Sequence, residues 1–545
     1  MVLYQIVPGK NIIPLNESVQ QNTKKTSVRI KTHFTNSKED AENIFYFDGS
    51  SNKVLNTNVQ FCSWYNEVSD SIYINCSTND VNKINIIYYS ENFKSVDCKF
   101  EIQELTDVSM CNTEMYIDSL ERFENKMNEK FKTNKEKIHE LVKHELSCKL
   151  HASDEDVFPL SEITYDHTEI NSMIDVLLSD QLTMGRNVEK FEKEFAEFIG
   201  SKYAIMVNSG SSANLLAMAV LSNFKFENGF VKGDKVIVPT ICWSTSVWPI
   251  IQMGLEPVFV DIDIKTLNAD VDKIEELLEN DNKIRGMVVV HILGNTMNMN
   301  KLMQLKNKYN LILMEDTCES LGSKYNNKNL GTFGECGTYS FYFSHHITTI
   351  EGGMVVTDNF HTYELLKCLR SHGWSRGITS HNNNSLDNRF CFINVGYNLR
   401  PMEIQAAMGS VQLKKLPEFQ ENRKSNYERI MTSLNEKNSD ILTSFTKEPC
   451  SLPAWFSLPF IINSKYKKED YLEYLEKNNV STRPIVTGNF ARQPVFKDLN
   501  MNVDPAIFVN AELIHNQGFF IGLPSNLMSD SKIEKLVNIL ISYRY

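Results

Sequence analysis

The chain has 545 residues, enough for roughly two to four domains, with 42% hydrophobic and 23% charged residues, ordinary for a globular protein. A formal net charge of −12 argues against a nucleic-acid backbone as partner, because such binding needs clustered Lys and Arg. No apolar run is long enough to span a membrane, residues 1–8 lack a secretory pattern, and the eleven cysteines match neither a zinc site nor a disulfide framework; the expectation is a cytoplasmic protein with free thiols.

Residues 1–110 carry short β-branched and aromatic runs at 27–34, 44–47, 59–66, 71–77, 84–90 and 98–105, separated by Asn, Ser, Asp and Gly. Regular short strands with turn residues between them predict a separate all-β domain, a small sandwich or barrel. Its role stays open between sugar binding and packing or assembly. Residues 111–150 predict a connecting helix. Ile117, Leu120, Met127, Phe131, Ile138, Leu141 and Cys148 follow steps of three and four, interrupted by Glu124, Asn134 and Glu145. Such a narrow seam suits self-association or packing on the chain's own domain.

From about 160, strand-like runs at 204–207, 235–239, 257–260, 286–290 and 311–314 alternate with amphipathic helical stretches. Strands so apolar are buried on both faces, which predicts an α/β domain with a mostly parallel sheet flanked by helices over 160–410. Ligands of such sheets bind at the carboxyl ends of the strands. Beyond 410 the pattern is mixed and broken by Pro453, Pro459, Pro484 and Pro494, predicting a smaller C-terminal α+β domain over 411–545.

Three motifs carry chemistry. In Val207-Asn208-Ser209-Gly210-Ser211-Ser212-Ala213-Asn214 a strand ends and a helix begins, so Gly210 and Ser211 stand where free backbone N–H groups suit a phosphate; an ordinary N-cap is the alternative. In Met314-Glu315-Asp316-Thr317-Cys318-Glu319, Asp316 ends a buried strand and can hold a pyridine nitrogen protonated; again an N-cap is the alternative. The third is Ser340-Phe341-Tyr342-Phe343-Ser344-His345-His346-Ile347-Thr348-Thr349-Ile350-Glu351-Gly352-Gly353.

Together these motifs resemble the DegT/DnrJ/EryC1/StrS family of sugar aminotransferases, pyridoxal-phosphate enzymes of fold type I. The resemblance runs from about Leu182 to the C-terminus and includes Leu182-Thr183-Met184-Gly185, Val238-Pro239-Thr240, Phe259-Val260-Asp261-Ile262-Asp263, Gly396-Tyr397-Asn398-Leu399-Arg400 and Glu403-Ile404-Gln405-Ala406-Ala407-Met408-Gly409. Family members carry a lysine five positions after the serine of Ser-Phe, and it tethers the cofactor. Here that position is His345, and no lysine occurs between Asn329 and Leu366. Imidazole forms no lasting covalent link to an aldehyde but is a general base near neutral pH. The substitution resembles the 3-dehydratase branch of the family, as do Trp243, Ser371-His372-Gly373-Trp374 and the stretch Thr482-Arg483-Pro484-Ile485-Val486-Thr487-Gly488-Asn489. Cys368 and Cys391 stand 23 apart without a close cysteine cluster, so an iron–sulfur centre is not expected and the GDP-mannose-type members are the nearer match.

The resemblance implies a lyase that removes the C3 hydroxyl of a nucleotide-linked 4-keto-6-deoxy sugar. Its cofactor would be pyridoxal 5'-phosphate, cycling with pyridoxamine 5'-phosphate; L-glutamate would be the amino donor and ammonia a product. His345 is the expected acid–base. Gly210, Ser211 and Ser340 would hold the cofactor phosphate, with Asn398 reaching it from the partner of a homodimer that shares active sites. Trp243 would stack on the ring, Asp316 would meet its nitrogen and Glu319 would lie near its hydroxyl. No metal is expected. A sugar aminotransferase and a non-catalytic scaffold are the alternatives. His346, pointing away from His345 in an extended segment, is expected to be structural. The nucleotide, the sugar, and the roles of His372, Arg483 and His515 stay open.

Overall fold

The computed structural model describes residues 134–147, 156–379 and 390–544 in full, and the backbone of nine strands between Tyr4 and Asp107. The chain divides into two compact units, Met1–Ile138 and His139–Tyr545. In the first, the nine strands form one antiparallel sheet whose longest pairing sets Thr26–Phe34 against Cys98–Asp107 and Ala41–Asp48. Six of these strands coincide with the β-branched runs. Tyr4–Ile6, Gly9–Pro14 and Lys53–Val54 were not expected, since strands this short, or bearing Gly and Pro, leave no alternating pattern. Residues 134–147 are helical, and the rest of the expected connecting helix lies outside the described residues. Leu141 on the apolar seam of that helix is 70% exposed.

The second unit is built on a seven-stranded sheet. Its strands are β1 (Tyr203–Val207), β2 (Lys235–Pro239), β3 (Glu256–Val260), β4 (Ile284–Val290), β5 (Ile312–Asp316), β6 (Cys336–Ser340) and β7 (Gly353–Thr357), in the order β1-β7-β6-β5-β4-β2-β3. Every pair among β2 to β6 is parallel; β7 alone runs against both its neighbours. Both faces are covered, and the alternation of side chains is visible in β4. Val288 and Val290 join a core with Leu216 and Ile250 on one face, while Met287 and Val289 join another with Ile274 and Leu302. This is the mostly parallel, helix-flanked sheet that the apolar runs predict.

Helices leave the carboxyl ends of the strands. Gly210–Leu221 follows β1 and is capped by the Ser209 hydroxyl, which accepts from Ser212 N at 3.1 Å. Ser244–Gln252 follows β2, with Trp243 at its cap position. The 35-residue helix Glu403–Lys437 runs from Ala406, packed with Phe191 and Phe341, to Ile430 in the core of a second sheet. That antiparallel sheet orders Leu442–Ser444, Ser457–Ile462, Gly518–Gly522 and Thr482–Arg483, with Leu458, Phe460 and Phe519 buried against Leu536 and Leu540.

Candidate active site

Where β5 and β6 end, beside the starts of the helices Gly210–Leu221 and Ser244–Gln252, lies a cavity of about 370 Å³. Gly210, Ser211, Trp243, Asp316, Glu319, Ser340 and His345 all line it, although they come from four separate stretches of chain. Asn398 does not. It is exposed, bridges Ser371 through backbone pairing, and its side-chain oxygen accepts from Arg400 Nε at 3.0 Å. His372, Arg483 and His515 lie off the cavity wall as well.

At one end is a helix N-terminus, whose first N–H groups have no partner within the helix. Gly210 and Ser211 carry two of them. A Cβ built on Gly210 would stand 2.5 Å from Ser340 Cβ and 2.8 Å from its Oγ, so glycine is what lets the helix start sit against the end of β6. At another wall is the Asp316 carboxylate. Its Oδ2 accepts from Asn214 Nδ2 at 2.7 Å and Ser246 Oγ at 2.6 Å, and its Oδ1 from Cys318 N at 3.2 Å. Glu319 accepts from Leu293 N at 3.0 Å; burial pushes its carboxyl up to about 7, helped by the Asp316 charge and opposed by the Leu293 N–H. Trp243 is 57% exposed, its indole free to face an occupant.

His345 is half-buried between Tyr342 and Phe456, with ring centroids 5.8 and 5.3 Å away, and its Nδ1 has no partner among the described residues. Burial, with the nearby Arg423 guanidinium as second cause, holds it down at about 4, so the imidazole is neutral at pH 7. No lysine lines the cavity among the described residues. His346 points elsewhere: buried, it donates from Nε2 to the Ala454 carbonyl at 2.8 Å, and burial and then Arg423 hold it at about 3. Arg423 is itself buried, donating from Nη1 to Phe456 O at 2.7 Å and from Nε to Ser525 Oγ at 3.0 Å.

The cavity is flanked by strained backbone. Ile350 (φ +70°), Val486 (φ +49°) and Leu293 (φ +49°) are non-glycine residues in the left-handed region, a state that costs roughly 1–3 kcal/mol each and persists only where the surroundings impose it. At Ile350 they do: its N–H donates to Thr348 Oγ1 at 2.9 Å, while Glu351 O accepts from Thr349 Oγ1 at 2.8 Å and Gln405 Nε2 at 2.5 Å. The turn thereby places Glu351 on the cavity wall. Sequence reasoning missed Glu351, Tyr342, Arg423 and the partners of Asp316. No local pattern marks them, and the positive φ that seats Glu351 falls on a β-branched residue, Ile350, where sequence gives no sign of it.

Comparison with known proteins agrees with this geometry. Residues 164–540 match the DegT/DnrJ/EryC1/StrS aminotransferase family. The GDP-4-keto-6-deoxy-D-mannose 3-dehydratase of Yersinia pseudotuberculosis is 38% identical over 393 residues, covering 70% of this chain and 98% of that protein. A solved E. coli GDP-4-keto-6-deoxy-D-mannose-3-dehydratase with bound hydrated PLP superposes with a TM-score of 0.66 at 38% identity, over 70% of this chain and 99% of that one. A mutant GDP-4-keto-6-deoxymannose-3-dehydratase with bound GDP-perosamine gives a TM-score of 0.65 at 37% identity, over 70% and 100%. With the sheet order, the cavity and a match over most of its length in accord, the chain belongs to the DegT/DnrJ/EryC1/StrS aminotransferase family.

Proposed function

We propose that the chain is a carbon–oxygen lyase, a pyridoxal-phosphate-dependent 3-dehydratase. It converts a nucleotide-linked 4-keto-6-deoxy sugar to the 4-keto-3,6-dideoxy sugar, with L-glutamate as amino donor and release of ammonia. The observation that carries this reading is a neutral histidine, His345, in a cavity that no lysine lines among the described residues. The relatives named above act on the GDP-linked sugar, which makes it the first substrate to try.

The residues present fit the cofactor. The N–H groups of Gly210 and Ser211 and the Ser340 hydroxyl suit its phosphate, Asp316 its ring nitrogen, Trp243 its ring face and Glu319 its ring hydroxyl. Bound there in its aminated form, the cofactor supplies an amino group for a sugar ketone and a sink for the electron pair left when a C–H bond breaks. His345, with a free Nδ1 and a neutral ring, accepts that proton. Once protonated, it is the acid that helps the C3 hydroxyl leave as water. A depressed pKa favours this second role, because an imidazolium in a dry pocket gives its proton up readily. Since imidazole makes no lasting link to an aldehyde, His345 shuttles protons without tethering the cofactor.

A homodimer sharing active sites is part of the same proposal. Trp243, Tyr342, Phe343 and Ile350 are large, exposed and at or beside the cavity, a patch that a second copy would cover, and exposed Asn398 would serve that copy's site. We assign 160–410 to the cofactor-binding domain, 411–545 to the small domain, 1–110 to an accessory β-domain and 111–150 to the connection. No helix among the described residues is long and apolar enough to cross a membrane, and we place the enzyme in the cytoplasm.

The test supplies pyridoxal phosphate, L-glutamate and GDP-4-keto-6-deoxymannose and follows ammonia and product mass. The proposal expects ammonia and a sugar nucleotide lighter by one oxygen atom. An aminated product retaining the C3 oxygen, together with a borohydride-stable lysyl adduct of pyridoxal phosphate, would show an aminotransferase instead.

A further inference from the structure

Three elements that bring residues to the cavity each also carry a buried polar side chain to the Asp316 network, Asn214 at the cavity wall and Ser246 and Thr338 behind it. On the first helix Asn214 lies four residues after Gly210; on the second, Ser246 lies three after Trp243. On β6, Thr338 lies two before Ser340, on the same face. Spacings of three and four on a helix and two on a strand put such pairs on one side of their element. Asn214, Ser246 and Thr338 are 1%, 2% and 0% exposed; the first two bond Asp316 directly and Thr338 bonds Asn214.

The hydrogen bonds have one direction. The Thr338 hydroxyl is 2.5 Å from Asn214 Oδ1 and 3.3 Å from the Glu315 carbonyl; with one proton to give, it donates to Asn214. An amide oxygen held by Thr338 turns the Asn214 NH2 toward Asp316 Oδ2, which it reaches at 2.7 Å. Ser246 spends its own proton on the same oxygen at 2.6 Å. Oδ2 is thus saturated by two donors, whereas Oδ1 takes the longer bond from Cys318 N at 3.2 Å, with the Cys318 thiol, a weak donor, also beside the carboxylate. A carboxylate has lone pairs for about four hydrogen bonds, so the free acceptor capacity lies on Oδ1.

We propose that Thr338, Asn214 and Ser246 are positioning residues that orient the Asp316 carboxylate so that Oδ1 is presented to the protonated nitrogen of the cofactor ring. This rests on the reading of Asp316 as the partner of that nitrogen. Were the Thr338 hydroxyl lost, Asn214 Oδ1 would be left buried without its donor, and the amide that holds Asp316 Oδ2 would be less firmly fixed. Charge-assisted bonds to a buried carboxylate lose their strength steeply with misalignment.

The test compares the binding of pyridoxal phosphate with that of 1-deazapyridoxal phosphate, whose ring carries carbon where the nitrogen was. Equilibrium dialysis is run with the wild type, Thr338→Val, Ser246→Ala and the conservative Thr338→Ser. The wild type is expected to prefer the natural cofactor. Thr338→Val and Ser246→Ala are each expected to shrink that preference by about tenfold, and Thr338→Ser to restore most of it. If both ligands weaken in parallel, so that the preference holds, the network is merely structural and the proposal fails. If the wild type shows no preference, Asp316 does not meet the ring nitrogen, and the underlying assignment falls with it. Ser246→Ala, at the start of a helix rather than inside the sheet, carries the comparison should Thr338→Val not fold.

Discussion

Replacing His346 by Gln should flatten the acid side of the stability profile. His346 donates from Nε2 to the Ala454 carbonyl, so its neutral form leaves Nδ1 unprotonated and without a partner among the described residues. Adding a proton there would create a buried cation with no acceptor, near the Arg423 guanidinium, which is why the ring is held at about 3 against an ordinary 6.5. The unfolded chain binds this proton from pH 6.5 downward and the folded chain does not until about pH 3. The stabilisation is therefore complete above 6.5 and lost as the pH falls toward 3. At pH 5 the unfolded side has gained about 2 kcal/mol from this residue alone. Gln reaches the same carbonyl with its amide but does not titrate. Urea unfolding of the cofactor-free protein at pH 7 and pH 5 should show the wild type losing about 2 kcal/mol more than His346→Gln between the two. Titrating carboxylates contribute equally to both proteins and cancel. Equal losses, within about 0.5 kcal/mol, would refute the reasoning.

Gly210→Ala would force a Cβ to 2.5 Å from Ser340 Cβ and 3.1 Å from its Cα; overpacking of this kind costs about 1–3 kcal/mol, visible as a lower melting temperature and weaker retention of pyridoxal phosphate. Glu403→Gln should loosen a helix start from a distance. The carboxylate accepts from Gly185 N at 2.7 Å, Asn187 N at 2.8 Å and Val188 N at 3.0 Å, and an amide replaces one of its oxygens by a donor; hydrogen exchange at these N–H groups should rise and stability fall by about 1.5–3 kcal/mol, while unchanged exchange would contradict the assignment. Glu319→Gln acts in the opposite pH direction to His346→Gln. Its carboxyl, raised to about 7 from 4.5, stabilises the fold below pH 4.5 and loses that contribution as the pH rises through 7. The cofactor-free variant should therefore lose less stability than wild type between pH 5 and pH 8, by roughly 2–3 kcal/mol, read from urea midpoints.

Much of the catalytic unit is legible without coordinates. The run 311–314 is apolar at every position and 235–239 carries charge only at its first residue, Lys235, as expected of strands covered on both faces, and these became most of β5 and β2. His345 was identifiable because its neighbours keep a family pattern while the expected lysine is missing, and the cavity does contain it. Other features left no local trace. Gly9–Pro14 pairs with Lys83–Tyr88 despite its Gly and Pro, because a strand's pairing is settled by its neighbour more than by its own composition. The helix Arg186–Ile199 has no side-chain cap of its own; its first N–H groups are satisfied by Glu403, 218 positions from Gly185.

By itself the sequence determined the class of fold, the place of the motifs at strand ends and the identity of the group standing where a lysine was due, because periodicity and short motifs are local properties. Only the tertiary structure decided which oxygen of Asp316 takes two side-chain donors, that Arg423 presses on both histidines, and that Ile350 is held left-handed beside Glu351. Those outcomes depend on hydrogen bonds and desolvation between residues up to about a hundred positions apart or more, such as Asn214 with Asp316 at a separation of 102, where no local pattern can record the partner.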